Sequence, residues 1–245
     1  MPVQDDERER ELVRVFNLDW DSAHQRGGVD ALLNVKIDDK TYQFEVEVKS
    51  TTGTTVSTAR DVGMDHIQKW RNKLFVIGYY SKEARRPELK SCLCLTPIDM
   101  EPWIRSVERK ISTDFKIALR ASHALTMLDL FEVCEKKDSY SIEDAKKLHK
   151  MQWSNDEYQA ALDVIDNGRK KISQGNMLNI LQLRAKYIAE RGATLNNPHI
   201  TKTHLTTFFG SNRVVENSSW AESIRKIAIE FIRAHPTHPS ITLLE

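Results

Sequence analysis

Hydrophobic residues fall into two regimes along this chain, and the change comes near Pro97. Before it, apolar positions alternate with polar ones or run in short blocks, as in Tyr42-Gln-Phe-Glu-Val-Glu-Val48 and Leu74-Phe-Val-Ile-Gly-Tyr-Tyr80. Alternation with period two predicts strands, here over about 29–37, 41–49, 74–80 and 89–95. A helix over 5–18 precedes them, with Leu12, Val13, Val15 and Phe16 as its apolar side and Asp5 or Asp6 as its N-cap. A second helix over 61–72 separates the second strand from the third. The order α-β-β-α-β-β predicts an α/β unit with a mixed sheet. After Pro97 the spacing turns helical, over 102–120, 124–137, 142–151, 155–167, 176–191, 201–209 and 219–234. Ser141 with Asp144 and Ser154 with Glu157 read as capping boxes. Asn196-Asn-Pro198 and Gly210-Ser-Asn212 are breaks, and a small wing is expected near 168–172. The pattern thus divides the chain into an α/β region, 1–97, and a mostly helical region, 98–245.

The first two strands carry the candidate chemistry. With a turn at Asp38-Asp39, Ile37 meets Lys40, and the same register sets Asp30 opposite Glu47. Opposed residues hold their Cβ atoms roughly 4.5–5.5 Å apart on one face, a face that Glu45 and Lys49 share by alternation. Two carboxylates this close repel each other unless a cation lies between them. Oxygen ligands of high charge suit Mg²⁺. An acidic residue two positions before a lysine occurs seven times in the chain, so the tripeptide alone says little. Only the copy at Glu47 lies in an alternating run with an aspartate placed to meet it. The structural alternative is an exposed strand face bearing an acid–base ladder.

Composition bounds the rest. At 245 residues, 40% hydrophobic and 29% charged, the chain has the make-up of a soluble globular protein. No apolar run approaches a membrane span. The acidic, polar N-terminus resembles neither a signal nor a transit peptide. Three cysteines, an odd and sparse number, fit a reducing cytoplasm. Cys92 and Cys94 would share one strand face, as half of a metal site or as buried structural thiols. A net charge of +1 looks unpromising for a DNA-binding protein, but the charge is unevenly spread. Residues 1–60 carry 8 basic and 12 acidic side chains, residues 81–120 carry 9 and 6, and residues 166–226 carry 10 and 4. A protein that gathers metal-binding acids in one place can be near neutral and still present basic surfaces.

With these residues in view, the N-terminal region resembles the PD-(D/E)xK nuclease superfamily, in particular archaeal Holliday-junction resolvases and many restriction endonucleases. The matching elements are Glu9-Arg10 on the first helix, Asp30 on the first strand, Glu47-Val48-Lys49-Ser50 on the second, and Arg60-Asp-Val-Gly63 entering the next helix. They cover roughly a third of the chain, and Val29 stands where the family's nominal proline precedes the aspartate. The resemblance implies a restriction-endonuclease-like core and Mg²⁺-dependent phosphodiester hydrolysis. On that footing Asp30, Glu47 and the Val48 carbonyl would bind metal. Lys49 would orient or help deprotonate the attacking water and neutralise charge at phosphorus. Glu9 would complete a second metal site or hold a metal-bound water; otherwise it is a helix-start acid favoured by the dipole.

Arg10 is a phosphate contact or a solvated helix charge. Hydroxyls and backbone N–H groups of the 51–58 loop, Thr51 and Thr52 first, could line a DNA backbone, or the loop is simply mobile; Arg60 is the better phosphate ligand there. His66 reads as structural rather than as a general base, and Glu45 as a surface acid. The tryptophans read as core or interface anchors. In the helical region, residues 124–172 have the order of a winged-helix unit: three helices, then the basic turn Gly168-Arg-Lys-Lys-Ile172. Residues 121–165 are acidic, with 5 basic and 9 acidic side chains, so a packing or dimer role suits those helices better. The expected DNA surface therefore begins at Arg169, Lys170 and Lys171 and continues through Arg184, Lys186, Arg191, Lys202 and Arg213.

The leading expectation is a type II restriction endonuclease acting on double-stranded DNA with Mg²⁺, as a cytoplasmic homodimer. Two others stand beside it: a structure-specific, junction-cutting nuclease, and a DNA-binding or transposition-associated protein with a secondary nuclease module.

Overall fold

The alternating stretches form strands, and the first two close into the expected hairpin. The computed structural model of the chain describes residues 4–20, 29–82, 87–201, 205, 214–215 and 219–244. These fall into two compact units, Met1–Lys110 with Leu195–Glu245, and Ile111–Thr194.

In the first unit α1 (Gln4–Val15) leads to the hairpin of β1 (Ala31–Ile37) and β2 (Lys40–Thr51). The register runs from Ile37 with Lys40 to Ala31 with Val46, as the Asp38-Asp39 turn requires. Asp38 makes that turn in the left-handed region, at φ 52°. Beyond β2 come β3 (Thr55–Val56), α2 (Met64–Trp70), β4 (Lys73–Tyr80) and β5 (Leu89–Leu95). The strands β1-β2-β4-β5 make a curled mixed sheet in which β2 runs parallel to β4 and the other pairs are antiparallel. A parallel pair cannot be joined by a tight turn, and the segment through α2 supplies the crossover. Late elements complete the unit: β9 (Ile200–Thr201) pairs with β3, β10 (Val214–Val215) with β5, and β11 (Thr242–Leu244) with β2.

One face of the sheet is covered by α1 and by the last helix, α8 (Trp220–Ala234). Leu12, Val13 and Phe16 join Leu33, Phe44, Val46, Val48 and Val76, with Ile224, Ala228 and Phe231 closing the cluster. Fully burying such a side chain contributes about 1.5–3 kcal/mol, so α8 belongs to the sheet's own core. Gly78 sets how close α1 comes, since a Cβ there would lie 2.7 Å from Leu12 Cδ2. Arg225 of α8 reaches the end of α1 and donates to the Phe16 and Asn17 carbonyls at 3.0 and 2.8 Å. α1 begins at Gln4, so Asp5 and Asp6 lie inside the helix rather than capping it.

The long α3 (Pro97–His123) starts five residues before the expected 102. Proline is favoured at a first helical position, and Thr96 and Asp99 cap the start reciprocally through Thr96 N–H to Asp99 Oδ2 and Asp99 N–H to Thr96 Oγ1.

The second unit contains α4 (Met127–Cys134), β6 (Ser139–Tyr140), α5 (Ile142–His149), α6 (Asn155–Ala160), β7 (Val164–Asp166), β8 (Arg169–Ser173) and α7 (Gln174–Ala193). Its sheet has the order β6-β8-β7, all antiparallel. Leu130, Tyr140, Ala145, Tyr158, Ile172, Met177 and Ile180 form its core. Both expected capping boxes are present, on α5 and α6. The helix expected over 155–167 ends at Ala160, and 164–166 is a strand. Asn167 and Gly168 both have positive φ, 50° and 74°, which a two-residue hairpin turn requires.

Ile200–Thr201 is strand where a helix over 201–209 was expected. The rest of that segment except Leu205, the Gly210-Ser-Asn212 break, Lys202 and Arg213 lie outside the described residues.

Candidate active site

The ladder of the hairpin ends at Ala31, and Asp30 lies one residue beyond it in a bend. There its Oδ2 accepts the Val48 N–H at 3.0 Å and the Lys49 ammonium at 3.2 Å. Lys49 Nζ also donates to the Val48 carbonyl at 3.0 Å and lies 3.0 Å from Glu47 Oε1. One ammonium therefore rests among three oxygens, two from carboxylates and one from the main chain. The other oxygen of Glu47 accepts from Lys73 at 2.9 Å. The group is enclosed, with side-chain exposures of 12% for Lys49, 10% for Glu47 and 4% for Lys73.

Burial and charge oppose each other here, and charge prevails. Burial disfavours ionised Glu47, but Lys49 and Lys73 overcome it and hold the carboxyl at about 2. Burial would likewise lower Lys49, yet Glu47, Asp30 and Glu9 raise it well above the ordinary lysine range. Lys49 is thus an ammonium in this arrangement, able to donate hydrogen bonds but not to accept a proton. That state suits the water-orienting and charge-neutralising roles expected of it.

Around this centre the expected residues differ in placement. Glu9 on α1 is half-buried and close enough for its charge to act on Lys49. Arg10 points to solvent, and Arg8 turns inward instead, donating from Nε to Ser50 Oγ at 3.1 Å and lying 5.8 Å from the Tyr80 ring centre. Thr51 is buried; its hydroxyl donates to the Thr55 carbonyl and accepts the Gly53 N–H, so it pins its own loop. That use leaves the Thr51 hydroxyl committed inside the fold, whereas Thr52 is half-exposed and Arg60 exposed. His66 Nδ1 accepts the Gly63 N–H at the start of α2, and burial, then Lys69, lowers its pKa. Glu45 is exposed. Cys92 and Cys94 are buried in the hydrophobic core as thiols, outside any disulfide.

Two participants were not singled out from sequence, Lys73 and Arg8. A lysine opening the apolar run Leu74-Phe-Val-Ile77 was the available signal for the first. Its partner depends on strand order, which the sequence does not give. Arg8 had no distinguishing local pattern.

The donor set can be compared with what a divalent cation needs. Among the described residues no group of three or more His, Cys, Asp or Glu is arranged to hold a metal. What converges is two carboxylate oxygens and a carbonyl, already gathered around one positive charge. These are hard oxygen ligands of the kind Mg²⁺ takes, alongside water and phosphate. The residues present fit such an ion if Lys49 yields its place.

In the second unit, Arg169 and Lys170 are exposed on β8, and Lys171 is half-buried 3.8 Å from Asp166. On α7, the guanidinium groups of Arg184 and Arg191 lie 5.3 and 6.0 Å from the Tyr187 ring centre, and Lys186 lies 3.7 Å from Glu190. No protein-family model matches the chain, and no curated protein is significantly similar to it. No helix among the described residues is long and apolar enough to cross a membrane.

Proposed function

We propose that the chain is a metal-dependent endonuclease of the PD-(D/E)xK kind, hydrolysing phosphodiester bonds of double-stranded DNA as a type II restriction enzyme and acting as a homodimer. The observation that carries this reading is the convergence of Asp30 Oδ2, Glu47 Oε1 and the Val48 carbonyl on one cationic position. The α1–hairpin–α2–β4 order and the parallel β2–β4 pair also support it, since they suit a restriction-endonuclease-like core.

Asp30, Glu47 and the Val48 carbonyl would hold Mg²⁺, which when bound supplies Lewis-acid polarisation of the phosphate and a more acidic water. Lys49, on the same strand face as Glu47, would then stand at the edge of the metal position and face the phosphate. There it offsets charge that develops at phosphorus. Glu9 would hold a water or add a carboxylate from α1. The second unit's helix–strand–helix–helix–hairpin order matches a winged-helix module, which favours a role in binding duplex DNA. Its α6 is acidic, with Asp156 and Glu157 in the first turn, so phosphate contacts fall to Arg169, Lys170 and α7.

The test is incubation of the full chain with plasmid, linear duplex and four-way junctions, in Mg²⁺, Ca²⁺ and chelator. Discrete duplex fragments in Mg²⁺ alone support the reading. Cutting of junctions alone would make it a structure-specific nuclease, and binding without cutting would make it a DNA-binding protein. Undiminished cleavage in chelator would overturn the metal chemistry.

A further inference from the structure

Lys73 opens β4 where an ammonium is costly unless it is paired and hydrogen-bonded. Its Nζ is buried and lies 2.9 Å from Glu47 Oε2. The Glu47 carboxylate is thereby divided: Oε2 is held by Lys73, and only Oε1 faces the position shared with Asp30 and the Val48 carbonyl. The register explains the reach. Glu45 is level with Lys73 and Glu47 with Phe75 across the parallel pair, so Lys73 and Glu47 are diagonal neighbours on one face.

That division restricts which cation the site can favour. Ca²⁺ takes about 6–8 oxygens and readily uses both oxygens of a carboxylate, whereas Mg²⁺ demands a near-octahedral shell and uses one or two carboxylates. With Oε2 held by the buried Lys73 ammonium, Glu47 has only Oε1 to offer once Lys49 yields its place there. We propose that Lys73 is a positioning residue that makes Glu47 a one-oxygen ligand and so biases the site toward Mg²⁺ over Ca²⁺. The inference rests on the nuclease reading of Asp30, Glu47 and Lys49. A mere counter-charge would behave differently: removing it would tighten Mg²⁺ and Ca²⁺ alike, because both ions carry the same charge.

Calorimetric titration of the full chain with each ion alone separates these cases. In K73M the Ca²⁺-to-Mg²⁺ affinity ratio should rise about tenfold or more, the scale on which partners of metal ligands act. In K73R, which keeps a donor on Oε2, the ratio should stay near that of the wild type. An unchanged ratio in K73M, with both ions shifted equally or not at all, overturns the proposal and leaves the nuclease reading standing. If the wild type binds neither ion, or binds with no sensitivity to D30N and E47Q, the nuclease reading fails and the proposal with it. Should K73M not fold, infrared difference spectra of ¹³C-glutamate-labelled wild type decide the matter. The Mg²⁺-induced band that E47Q removes should show the wide carboxylate splitting of one-oxygen ligation, and a narrow, two-oxygen splitting would overturn it.

Discussion

Lys49 of the β1–β2 hairpin and Arg169 and Lys170 of the β7–β8 hairpin stand in opposite settings. In β1–β2, Lys49 is enclosed and held by oxygens of Asp30, Glu47 and Val48, while Lys73 is drawn in from the neighbouring strand. In β7–β8, Arg169 and Lys170 stand in solvent beside an Asn167-Gly168 turn. Taking a charge out of water costs several kcal/mol, so an enclosed ammonium persists only with well-placed partners and becomes part of a rigid constellation. An exposed charge costs little, is ordered by nothing, and acts through its field over about a Debye length, ~8–10 Å at ordinary salt. The first arrangement suits chemistry at one position, and the second suits adhesion along a polyanion.

The largest losses should come from the enclosed cluster. Glu47→Ala and Lys49→Ala should each lower DNA cleavage about a thousandfold or more, since metal and charge stabilisation of a transition state is worth several kcal/mol. Duplex binding measured by gel shift in Ca²⁺ should survive both changes. Cleavage within tenfold of wild type in either variant would leave the enclosed cluster as a structural feature. At the other hairpin, replacing Arg169, Lys170 and Lys171 together with alanine should leave single-turnover cleavage at saturating protein intact. It should flatten the salt dependence of binding by about two to three in log–log slope, roughly one per lost phosphate contact. An unchanged slope would place the DNA surface elsewhere.

Smaller effects sharpen the picture of the scaffold. Gly168→Ala puts a side chain at φ 74°, a conformation that costs an L-residue about 1–2 kcal/mol, and should lower the melting temperature of the second unit accordingly. Asp144→Asn should cost about 1 kcal/mol, because Asp144 accepts the Ser141 N–H and the Lys137 ammonium at the start of α5. Burial opposes its ionisation, but Lys137 and Ser141 prevail and hold its pKa below the ordinary range. A carboxylate lowered in the folded state stabilises above its unfolded pKa and loses that contribution as pH falls through the folded value. Melting curves of wild type and Asp144→Asn should therefore differ at neutral pH and converge in acid. A difference that persists there would assign the effect to packing.

Much of the hairpin site was legible because its determinants are local. A turn at Asp38-Asp39 sets the register, register sets which residues oppose, and alternation sets which share a face. From the Ile37–Lys40 pair these rules set Asp30 opposite Glu47 with Lys49 on the same face; the ladder stops at Ala31, and Asp30 bends to meet the Val48 N–H and the Lys49 ammonium. The β7–β8 hairpin was partly missed although Asn167-Gly168 is a strong turn signal. The helical spacing after Ser154 masked it, and helix ends are poorly marked without a breaker. The start of α3 was placed late because Pro97 reads equally as the end of a strand and as a first helical residue.

What the sequence determined by itself was the set of short-range objects: the hairpin register, the caps at Ser141 and Ser154, and the face shared by Glu47 and Lys49. Only the tertiary structure decided which distant pieces meet them. Pairing β2 in parallel with β4 delivered Lys73 to Glu47. Leu12 seated at Gly78 brought Glu9 near Lys49, and α8 returned from the far end of the chain to cover the sheet. The physical reason is that hydrogen-bonding geometry and side-chain periodicity act over a few residues and can be read directly. Strand order and helix docking are settled by burying apolar surface over the whole chain, to which every residue contributes and none alone is diagnostic.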